Sequence, residues 1–257
     1  MKPRESSGMK PIDRSEDLQK YYQDRGVVTT YMDRRTAQPL NGLLHRRQVA
    51  FLCESLQPRA PRRVLEIACG PGRLTAAMRG VPFGVAIDAS QPMLETAQQR
   101  MNGSAGHWSF LRSDAFVLPV RDASFDAVYT LRFVRHFQTE DRLRLYREIQ
   151  RVLRPHGIFI VDALNRDVSY PSRLKRGLDH YQIYDVLYRP GEVEAELAAA
   201  GFRVLAVEGM LRHFPLQQRL NRLRFRLGGL ARVLIDALER VPGQRPSTWM
   251  VLCEKPG

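Results

Sequence analysis

The chain has 257 residues, of which 44% are hydrophobic and 26% charged, and its formal net charge is +13. These values are typical of a soluble globular protein, and no apolar run approaches the roughly 18 residues that a membrane-spanning helix needs. The positive charge favours an anionic partner, either nucleic acid, a lipid headgroup or an acidic metabolite.

The cysteines and the N-terminal sequence indicate a cytoplasmic protein. Cys53, Cys69 and Cys253 are widely scattered, with neither metal-ligand spacing nor the pattern of a disulfide framework. Residues 1–20 lack the apolar core of a secretory signal. We therefore expect a cytoplasmic location and no metal site.

Strand and helix patterns alternate along most of the chain. Residues 1–26 are polar, and residues 36–57 carry apolar side chains at helical spacing. The segments predicted as strands are 64–68, 83–90, 107–115, 125–132, 157–165, 203–210 and 248–255. The segments predicted as helices are 36–57, 73–80, 91–101, 139–155 and 192–202.

This alternation predicts an α/β fold, a Rossmann-like seven-stranded and mostly parallel sheet with helices on both faces. We expect one domain over residues 61–257, preceded by an N-terminal helical extension or lid over residues 1–60. A helical insert over residues 211–245 is expected before the last strand.

The insert has an unusual composition. Residues 211–245 contain eight arginines but only two acids, Asp236 and Glu239, and leucines recur at steps of three or four. The segment therefore predicts a basic amphipathic helix, broken near Gly228. Such a helix either lies on an anionic membrane surface or packs its apolar stripe on the parent domain.

A glycine turn follows the first predicted strand, in the sequence VLEIACGPGRL at 64–74. Gly70 and Gly72 lack a Cβ atom, so the backbone can turn sharply and a ligand can approach it. Residues 73–75 are Arg-Leu-Thr, so the third glycine of the dinucleotide motif G-x-G-x-x-G is missing. The alternative is a turn shaped for packing alone.

The turn resembles the first motif of class I S-adenosylmethionine (SAM)-dependent methyltransferases, an acid-bearing strand followed by G-x-G-x-G. The matching residues are Glu66, Ala68, Gly70 and Gly72, with Ala68 in place of the first glycine. The resemblance implies that Glu66 supports the loop around the methionine end of SAM.

Asp88 ends the second predicted strand, roughly 20 positions after the start of the turn. A carboxylate there can accept hydrogen bonds from both ribose hydroxyls, and the alternative is an N-cap for the next helix. The sequence DASQPML at 88–94 resembles the second motif of the family, which adds Ala89 and Met93 to the cofactor-binding set.

Asp114 follows the third predicted strand and is a candidate acceptor for the adenine amino group, with Ala115 beside the ring. The alternative is that Asp114 caps a turn. Thr130 lies where the fourth strand ends, near the expected meeting point of cofactor and substrate. The matching motifs cover residues 64–162 and resemble most closely the ubiquinone-biosynthesis-like branch, which acts on small molecules.

The resemblance implies a methyltransferase that acts on a small or lipid-like molecule. Methyl transfer mainly requires alignment and exclusion of water, and a base is needed only when the acceptor loses a proton early. His136 is the first candidate base and Tyr129 a lesser one. Packing alone is an equally open interpretation of His136.

Aromatic residues in two further segments are candidates for a substrate lid. Tyr31 and Arg35 lie in the N-terminal segment, and Tyr181 and Tyr184 follow the fifth strand. A solvated helix face explains the first pair equally well, and packing of the lid itself explains the second.

Three other functions compete with this interpretation. An RNA methyltransferase would suit the charge, but the chain shows neither an appended RNA-binding module nor an Asn/Asp-Pro-Pro-aromatic signature. Nucleic acid is therefore not the expected partner, whereas an anionic membrane surface stays open. A non-catalytic SAM-binding protein and transfer of a group other than methyl also remain open, because fold does not fix activity.

Overall fold

The computed structural model describes residues 11–29, 38–101, 107–243 and 245–257. The strands are β1 (Arg63–Ile67), β2 (Phe83–Asp88), β3 (Trp108–Arg112), β4 (Phe125–Thr130), β5 (Leu153–Asn165), β6 (Leu187–Tyr188), β7 (Arg203–Met210) and β8 (Thr248–Glu254). The helices with both ends inside these ranges are α1 (Ser15–Gln23), α2 (Pro39–Leu56), α3 (Gln91–Met101), α4 (Thr139–Val152), α5 (Arg166–Arg176), α6 (Glu192–Ala199), α7 (Phe214–Arg222), α8 (Arg224–Leu227) and α9 (Gly229–Arg240).

The strands form one sheet in the order β3-β2-β1-β4-β5-β8-β7, and the short β6 pairs with the end of β5. Strands β1 to β6 pair in parallel, whereas β8 runs antiparallel to both β5 and β7. The prediction of a Rossmann-like, seven-stranded, mostly parallel sheet is confirmed, with β6 as an additional two-residue strand.

Helices cover both faces of the sheet. Successive residues of a strand point to opposite faces, so each strand contributes side chains to both. In β1, Leu65 and Ile67 belong to a core cluster that includes the apolar face of α4. Val64 belongs to a second cluster, together with Phe51 and Leu52 of α2. The central strands are therefore buried on both sides, which explains their nearly continuous apolar sequences.

Two of the predicted helices differ from the structure. The helix predicted over 73–80 is only a 3-10 turn at Thr75–Ala77, because the chain is still leaving the glycine turn there. The helix predicted over 139–155 ends at Val152, and β5 begins at once because Leu153 pairs with Phe125 of β4.

Helix α5 occupies a segment for which the sequence predicts no helix. Val168 is its one buried residue and Pro171 lies inside it, so the segment does not have the sequence of a typical core-packed helix. Its N-terminus is capped by the side chain of Asn165, which accepts a hydrogen bond from the Asp167 N–H at 2.9 Å. Local capping therefore marks where this helix starts.

The predicted insert forms α7, α8 and α9, with Gly228 in a positive-φ conformation at the expected break. α9 packs against α7 and α2, and Leu43, Leu211 and Ile235 form an apolar cluster there. No helix among the described residues is long and apolar enough to cross a membrane.

The insert leaves and rejoins the sheet at the edge where the parallel strands end. Met210, the last residue of β7, pairs with Thr248, the first residue of β8. Thr248 also pairs with Leu164, next to the carboxyl end of β5. Ligands of open parallel sheets bind at this edge.

Candidate functional site

The turn after β1 contains three residues with a left-handed backbone. The φ angles of Ala68, Gly70 and Gly72 are 55°, 55° and 70°. A Cβ atom on Gly72 would lie 2.9 Å from the Cβ of Ala97 in α3, whereas one on Gly70 would meet no atom within 4 Å. Gly72 thus lets α3 approach the turn, and Gly70 leaves open space beside it.

Asp88 fastens the end of β2 to this turn. Its two carboxylate oxygens accept hydrogen bonds from the Gly70 and Ser90 N–H groups, each at 2.8 Å. Burial raises the pKa of Asp88, and the backbone N–H donors only partly offset that rise. A carboxylate has about four lone-pair sites, so Asp88 keeps acceptor capacity for a ligand.

Glu66 lies behind the turn and not in the cavity. Its Oε2 atom accepts hydrogen bonds from the Thr75 hydroxyl at 2.6 Å and the Tyr129 hydroxyl at 2.9 Å. Burial raises the pKa of Glu66 to about 7, although both hydrogen bonds lower it. The carboxyl group therefore connects β1, β4 and the segment that follows the turn.

A cavity opens in front of the turn, at the carboxyl ends of the parallel strands. It is partly open to solvent, and the free space inside it is about 100 Å³. The predicted site residues that line it are Ala68, Gly70, Asp88, Ala89, Met93, Asp114, Ala115 and His136. Most of the predicted cofactor-binding residues therefore line the same cavity.

Four of the predicted cofactor-binding and catalytic residues lie outside the cavity lining. Glu66 and Gly72 support the turn as described above. The Tyr129 side chain is fully buried, with its hydroxyl donating to Glu66, and the Thr130 hydroxyl donates to the Ile67 carbonyl at 2.8 Å. These side chains therefore stabilise the elements that form the site and do not line it.

Asp114 both faces the cavity and caps a turn, the two alternatives that its sequence position allows. It lines the cavity, and its Oδ1 atom accepts a hydrogen bond from the Phe116 N–H at 3.0 Å, as a turn-capping aspartate does. Capping one N–H leaves the other carboxylate oxygen available to a ligand.

Helix α1 covers part of the cavity. Its residues Ser15, Leu18, Gln19 and Tyr22 join the lining. The Ser90 hydroxyl donates to the Tyr22 carbonyl at 2.6 Å, which ties the end of α1 to the loop after β2. The sequence does not single out residues 15–19, since only the leucine in this polar helix is buried.

His136 lies in the 3-10 turn that follows β4, and it lines the cavity. Its Nδ1 atom is 3.0 Å from the Tyr184 carbonyl oxygen and 3.0 Å from Asp185 Oδ1. Asp185 also pairs with Arg135 and Arg173. Burial favours a raised pKa of Asp185, but Arg135, the His136 hydrogen bond and Arg173 outweigh it, so its pKa lies well below the usual range.

Asp185 is a site-adjacent residue that the sequence does not reveal. It stands alone as an acid in an aromatic and apolar run, QIYDVLY at 182–188. That isolation is the one local signal, and it does not indicate a partner. The pairing with His136 arises only because this run folds back against the turn after β4, where Val186 N donates to the Arg135 carbonyl at 2.7 Å.

The predicted lid residues fall into two groups. Tyr31 and Arg35 lie outside the described residues. The Arg173 guanidinium lies 4.5 Å from the centre of the Tyr181 ring, and Tyr184 contacts His136 through its backbone carbonyl. Neither tyrosine lines the cavity.

Within the described part of the chain, no group of three or more His, Cys, Asp or Glu side chains is arranged to hold a metal ion. The cavity instead offers carboxylates, open backbone at a glycine turn and one imidazole. Such groups suit an organic ligand with hydroxyl and amino groups.

Comparison with known sequences agrees with these features. A family profile described as "Methyltransferase domain" matches residues 64–157. A ubiquinone/menaquinone biosynthesis C-methyltransferase (UbiE) of Pseudomonas paraeruginosa is 30% identical over 195 residues, 74% of this chain and 73% of the relative.

Two other relatives are O-methyltransferases. Over 170 residues the chain is 31% identical to a ubiquinone biosynthesis O-methyltransferase of Azorhizobium caulinodans, covering 61% of this chain and 65% of that protein. Over 163 residues it is 29% identical to the O-methyltransferase cnsE of Penicillium expansum, covering 59% and 56%. The chain thus spans somewhat under two thirds of the length of these two relatives.

Solved structures share the fold at low sequence identity. The [4+2]-cyclase SpnF superposes with a TM-score of 0.66 at 20% identity, covering 98% of this chain and 99% of that one. A SAM-dependent methyltransferase of Thermotoga maritima, described as a possible histamine N-methyltransferase, gives 0.60 at 18% identity, with coverage of 91% and 99%.

Proposed function

Because the chain belongs to the class I SAM-dependent methyltransferases, we propose that it transfers the methyl group of SAM to a small or lipid-like molecule. The observation that carries this proposal is the cavity in which Asp88 and Gly70 meet at the carboxyl ends of β1 and β2. Relatives named as O- and C-methyltransferases of quinone biosynthesis support a small or lipid-like acceptor.

The cavity residues fit SAM along its length. Asp88 keeps lone pairs for the ribose hydroxyls, and Asp114 with Ala115 offers an acceptor and a small flank for adenine. Gly70, which has open space where a Cβ would be, suits the methionine tail. SAM supplies an electrophilic methyl group bonded to a sulfonium.

The contribution of the protein is then to align the acceptor, exclude water and receive a proton. Helix α1 and the aromatic side chains Phe133 and Phe137 enclose the cavity on the side of His136. Enclosure of this kind holds the reacting atoms in line and keeps out solvent. We propose His136 as the base, since it is the imidazole among the lining residues.

The structural likeness to a [4+2]-cyclase shows why turnover has to be measured separately from SAM binding. One fold can serve unrelated chemistry, and SAM can be bound without methyl transfer. The two measurements below therefore address the cofactor and the reaction in turn.

The cofactor assignment is tested with the variant Asp88→Ala. A hydrogen bond to a charged group contributes about 1.5–3 kcal/mol, so the dissociation constant for SAM should rise roughly ten- to a hundredfold. Isothermal calorimetry measures it, and thermal melting confirms that the variant is folded. The exposed Asp179, replaced in the same way, is the matched control and should bind SAM like the unchanged protein. An unchanged dissociation constant in Asp88→Ala would refute the ribose role.

The reaction is tested by incubating the protein and methyl-labelled SAM with a cell extract. Mass spectrometry should find the label in a small organic or lipid product. Label in RNA would favour the nucleic-acid alternative, and SAM binding without a labelled product would favour a non-catalytic protein. Transfer of another part of SAM would appear as a different mass increment.

We also propose that the protein is cytoplasmic and that residues 211–245 contact an anionic membrane surface. Both acids of this insert are paired, and Glu239 is buried. The Asp236 carboxylate pairs with Arg46 at 2.7 Å, and Glu239 accepts hydrogen bonds from the Leu211 and Arg212 N–H groups, each at 3.0 Å. Exposed arginines surround the outer surface: Arg219, Arg222, Arg226, Arg232, Arg240 and Arg245.

Helix α9 also has an exposed apolar stripe, opposite the one that it buries. The exposed residues recur at helical spacing, and they are Leu230, Val233, Leu234, Ala237 and Val241. Phe225, in the preceding α8, is 85% exposed. An apolar stripe flanked by arginines without free acids suits the headgroup region of an anionic bilayer.

The position of the insert supports the same partner. It leaves the sheet at the carboxyl edge, which is also the edge of the cavity. A lipid-like acceptor would therefore reach the cavity from the surface on which the insert rests.

A further inference from the structure

Asp185 lies beside the His136 ring, whose hydrogen-bond partner is the Tyr184 carbonyl. The two side chains are nearly buried, with exposed fractions of 9% and 11%, and the Nδ1–Oδ1 distance is 3.0 Å. Asp185 is itself held by Arg135 Nε at 3.0 Å and by the Arg173 guanidinium. Both arginine side chains are also largely buried, so the carboxylate has little freedom to turn away.

The contacts of His136 determine which ring nitrogen carries the proton. Nδ1 faces two acceptors, the Tyr184 carbonyl and the Asp185 carboxylate, and no donor. A nitrogen between two acceptors has to carry the hydrogen, which leaves Nε2 as the lone-pair nitrogen of the neutral ring. Because His136 lines the cavity, this lone pair is the basic group that the site offers.

The charged groups around the ring come from four segments of the chain. Arg135 belongs to the same turn, Asp162 to β5, and Arg173 to α5, while Asp185 lies in the run before β6. Two arginines thus face two aspartates. Removing the charge of Asp185 would leave the ring beside an excess of positive charge.

We propose that Asp185 is a positioning residue that holds His136 as a general base and that the acceptor is a ring-borne hydroxyl, a phenol or an enol. This inference rests on the proposed function and names its substrate class. A hydroxyl needs a base because its proton has to leave as the oxygen attacks.

The aromatic lining of the cavity fits a planar acceptor. Phe137 packs edge-to-face against both Phe133 and Phe116, with ring centres 4.8 and 5.1 Å away. All three rings line the cavity that His136 lines. Edge-to-face packing is also how such a wall would meet an aromatic ligand.

The step balances as a single displacement. The hydroxyl proton moves to His136 Nε2, and the oxygen electron pair forms the bond to the methyl carbon. The electron pair of the broken carbon–sulfur bond stays on sulfur, which becomes neutral. Asp185 then faces an imidazolium ring, whose positive charge it stabilises.

The tautomer can be measured without an acceptor, by two-dimensional ¹⁵N NMR of the imidazole rings, with His136→Gln to assign the signal. We expect the Nδ1–H form in the unchanged protein. Asp185→Asn should raise the share of the Nε2–H form, since the amide nitrogen of asparagine can donate a hydrogen bond to Nδ1. Glu254→Gln is the matched control, because Glu254 contacts the exposed His156 at the same 3.0 Å.

Activity gives a second readout with labelled SAM and two probe acceptors, phenol and the more acidic 4-nitrophenol. Asp185→Asn should lower kcat on phenol by roughly tenfold or more, with KM little changed. The loss should be smaller on 4-nitrophenol, which needs less help from a base. A purely structural role of Asp185 would affect both acceptors equally.

Several results would overturn the inference. An Nε2–H tautomer in the unchanged protein would do so even if Asp185→Asn failed to fold, and so would an unchanged tautomer share in a folded variant. Label transferred to amines but to no phenol would refute the acceptor class. If the unchanged protein did not bind SAM, the proposed function would be refuted instead. The two failures are distinguishable because the tautomer measurement does not depend on SAM.

Discussion

Glu66 shows how a buried carboxyl group can serve a site without touching its ligand. It lies in the middle of β1, and its partners are the hydroxyl groups of Thr75 and Tyr129. Both partners donate to it, so they stabilise the ionised form against a large penalty for burial. The result is a carboxyl group whose pKa, about 7, makes the stability of the fold depend on pH.

Replacement of Glu66 by Gln should flatten that pH dependence. The pKa is about 7 in the folded protein and 4.5 in the reference state, so the folded form binds the proton more tightly. Stability is then lost as pH rises from about 4.5 to 7, by up to about 3 kcal/mol. Urea unfolding at pH 5 and pH 8 should show a steeper loss in the unchanged protein than in Glu66→Gln.

The exposed Glu140 offers the control for this measurement. Glu140→Gln should keep the slope of the unchanged protein. Parallel curves for the Glu66 variant and the unchanged protein would show that Glu66 does not titrate in this range.

At the scale of single residues, local motifs predict much of the site but not its long-range pairs. Asp88 and Gly70 are predictable because their spacing along the chain reflects a strand, a turn and a second strand. The contact between His136 and Asp185 joins segments that are far apart in sequence. No local pattern contains that contact, and it is visible only when the run before β6 folds back.

At the scale of elements, the alternation of apolar strands and amphipathic helices predicts the sheet well. It fails where a helix contains proline and buries only one residue, as in α5, or where strand pairing takes over from a helix, as at Leu153. The glycine turn is predictable as a turn, but its detailed conformation is not. Ala68 stands at the first motif position with φ at 55°, where glycine would be unstrained.

The turn therefore predicts effects of different size for two substitutions, one from glycine to alanine and one from alanine to glycine. Gly72→Ala should destabilise the protein by about 2 kcal/mol or more, because it adds a left-handed strain and a Cβ 2.9 Å from the Cβ of Ala97. Ala68→Gly removes the same backbone strain but increases the conformational entropy of the unfolded chain. The free energy of unfolding should therefore change by no more than about 1 kcal/mol. Thermal melting of the two variants measures both effects.

The order of the two variants is the decisive outcome. If Ala68→Gly were the more destabilising of the pair, the left-handed backbone at Ala68 would not be the strained feature of the turn. The Ala68→Gly variant should keep the SAM affinity of the unchanged protein, because removal of a methyl group does not obstruct the cavity.

At the scale of the whole molecule, the structure shows where part of the net charge of +13 lies on the surface. Composition predicts only that an anionic partner is favoured, and the amphipathic pattern of residues 211–245 does not say which face is free. The structure pairs Asp236 and Glu239 and leaves arginines with a second apolar stripe outside. Tertiary packing thus decides the orientation, since both stripes of α9 are apolar.

This surface predicts binding to vesicles that contain phosphatidylglycerol but not to vesicles of phosphatidylcholine alone. Each arginine near an anionic surface contributes about 1 kcal/mol, so replacing Arg226, Arg232 and Arg240 by Gln should weaken partitioning about a hundredfold. Serine at Leu230, Val233 and Leu234 should weaken it at least tenfold, through lost apolar burial. Cosedimentation at low and high salt measures both, and high salt should act mainly on the arginine contribution.

The matched control places serine at Val117, Leu205 and Val207, which are equally apolar and exposed but lie outside the insert. This triple variant should bind vesicles like the unchanged protein, and all variants should retain SAM affinity. A second copy of the chain would bring arginines against arginines, so like charges disfavour a dimer through this face. If sedimentation nevertheless showed a dimer that the serine variant of α9 dissolves, the apolar stripe would belong to a protein interface and the membrane proposal would fall.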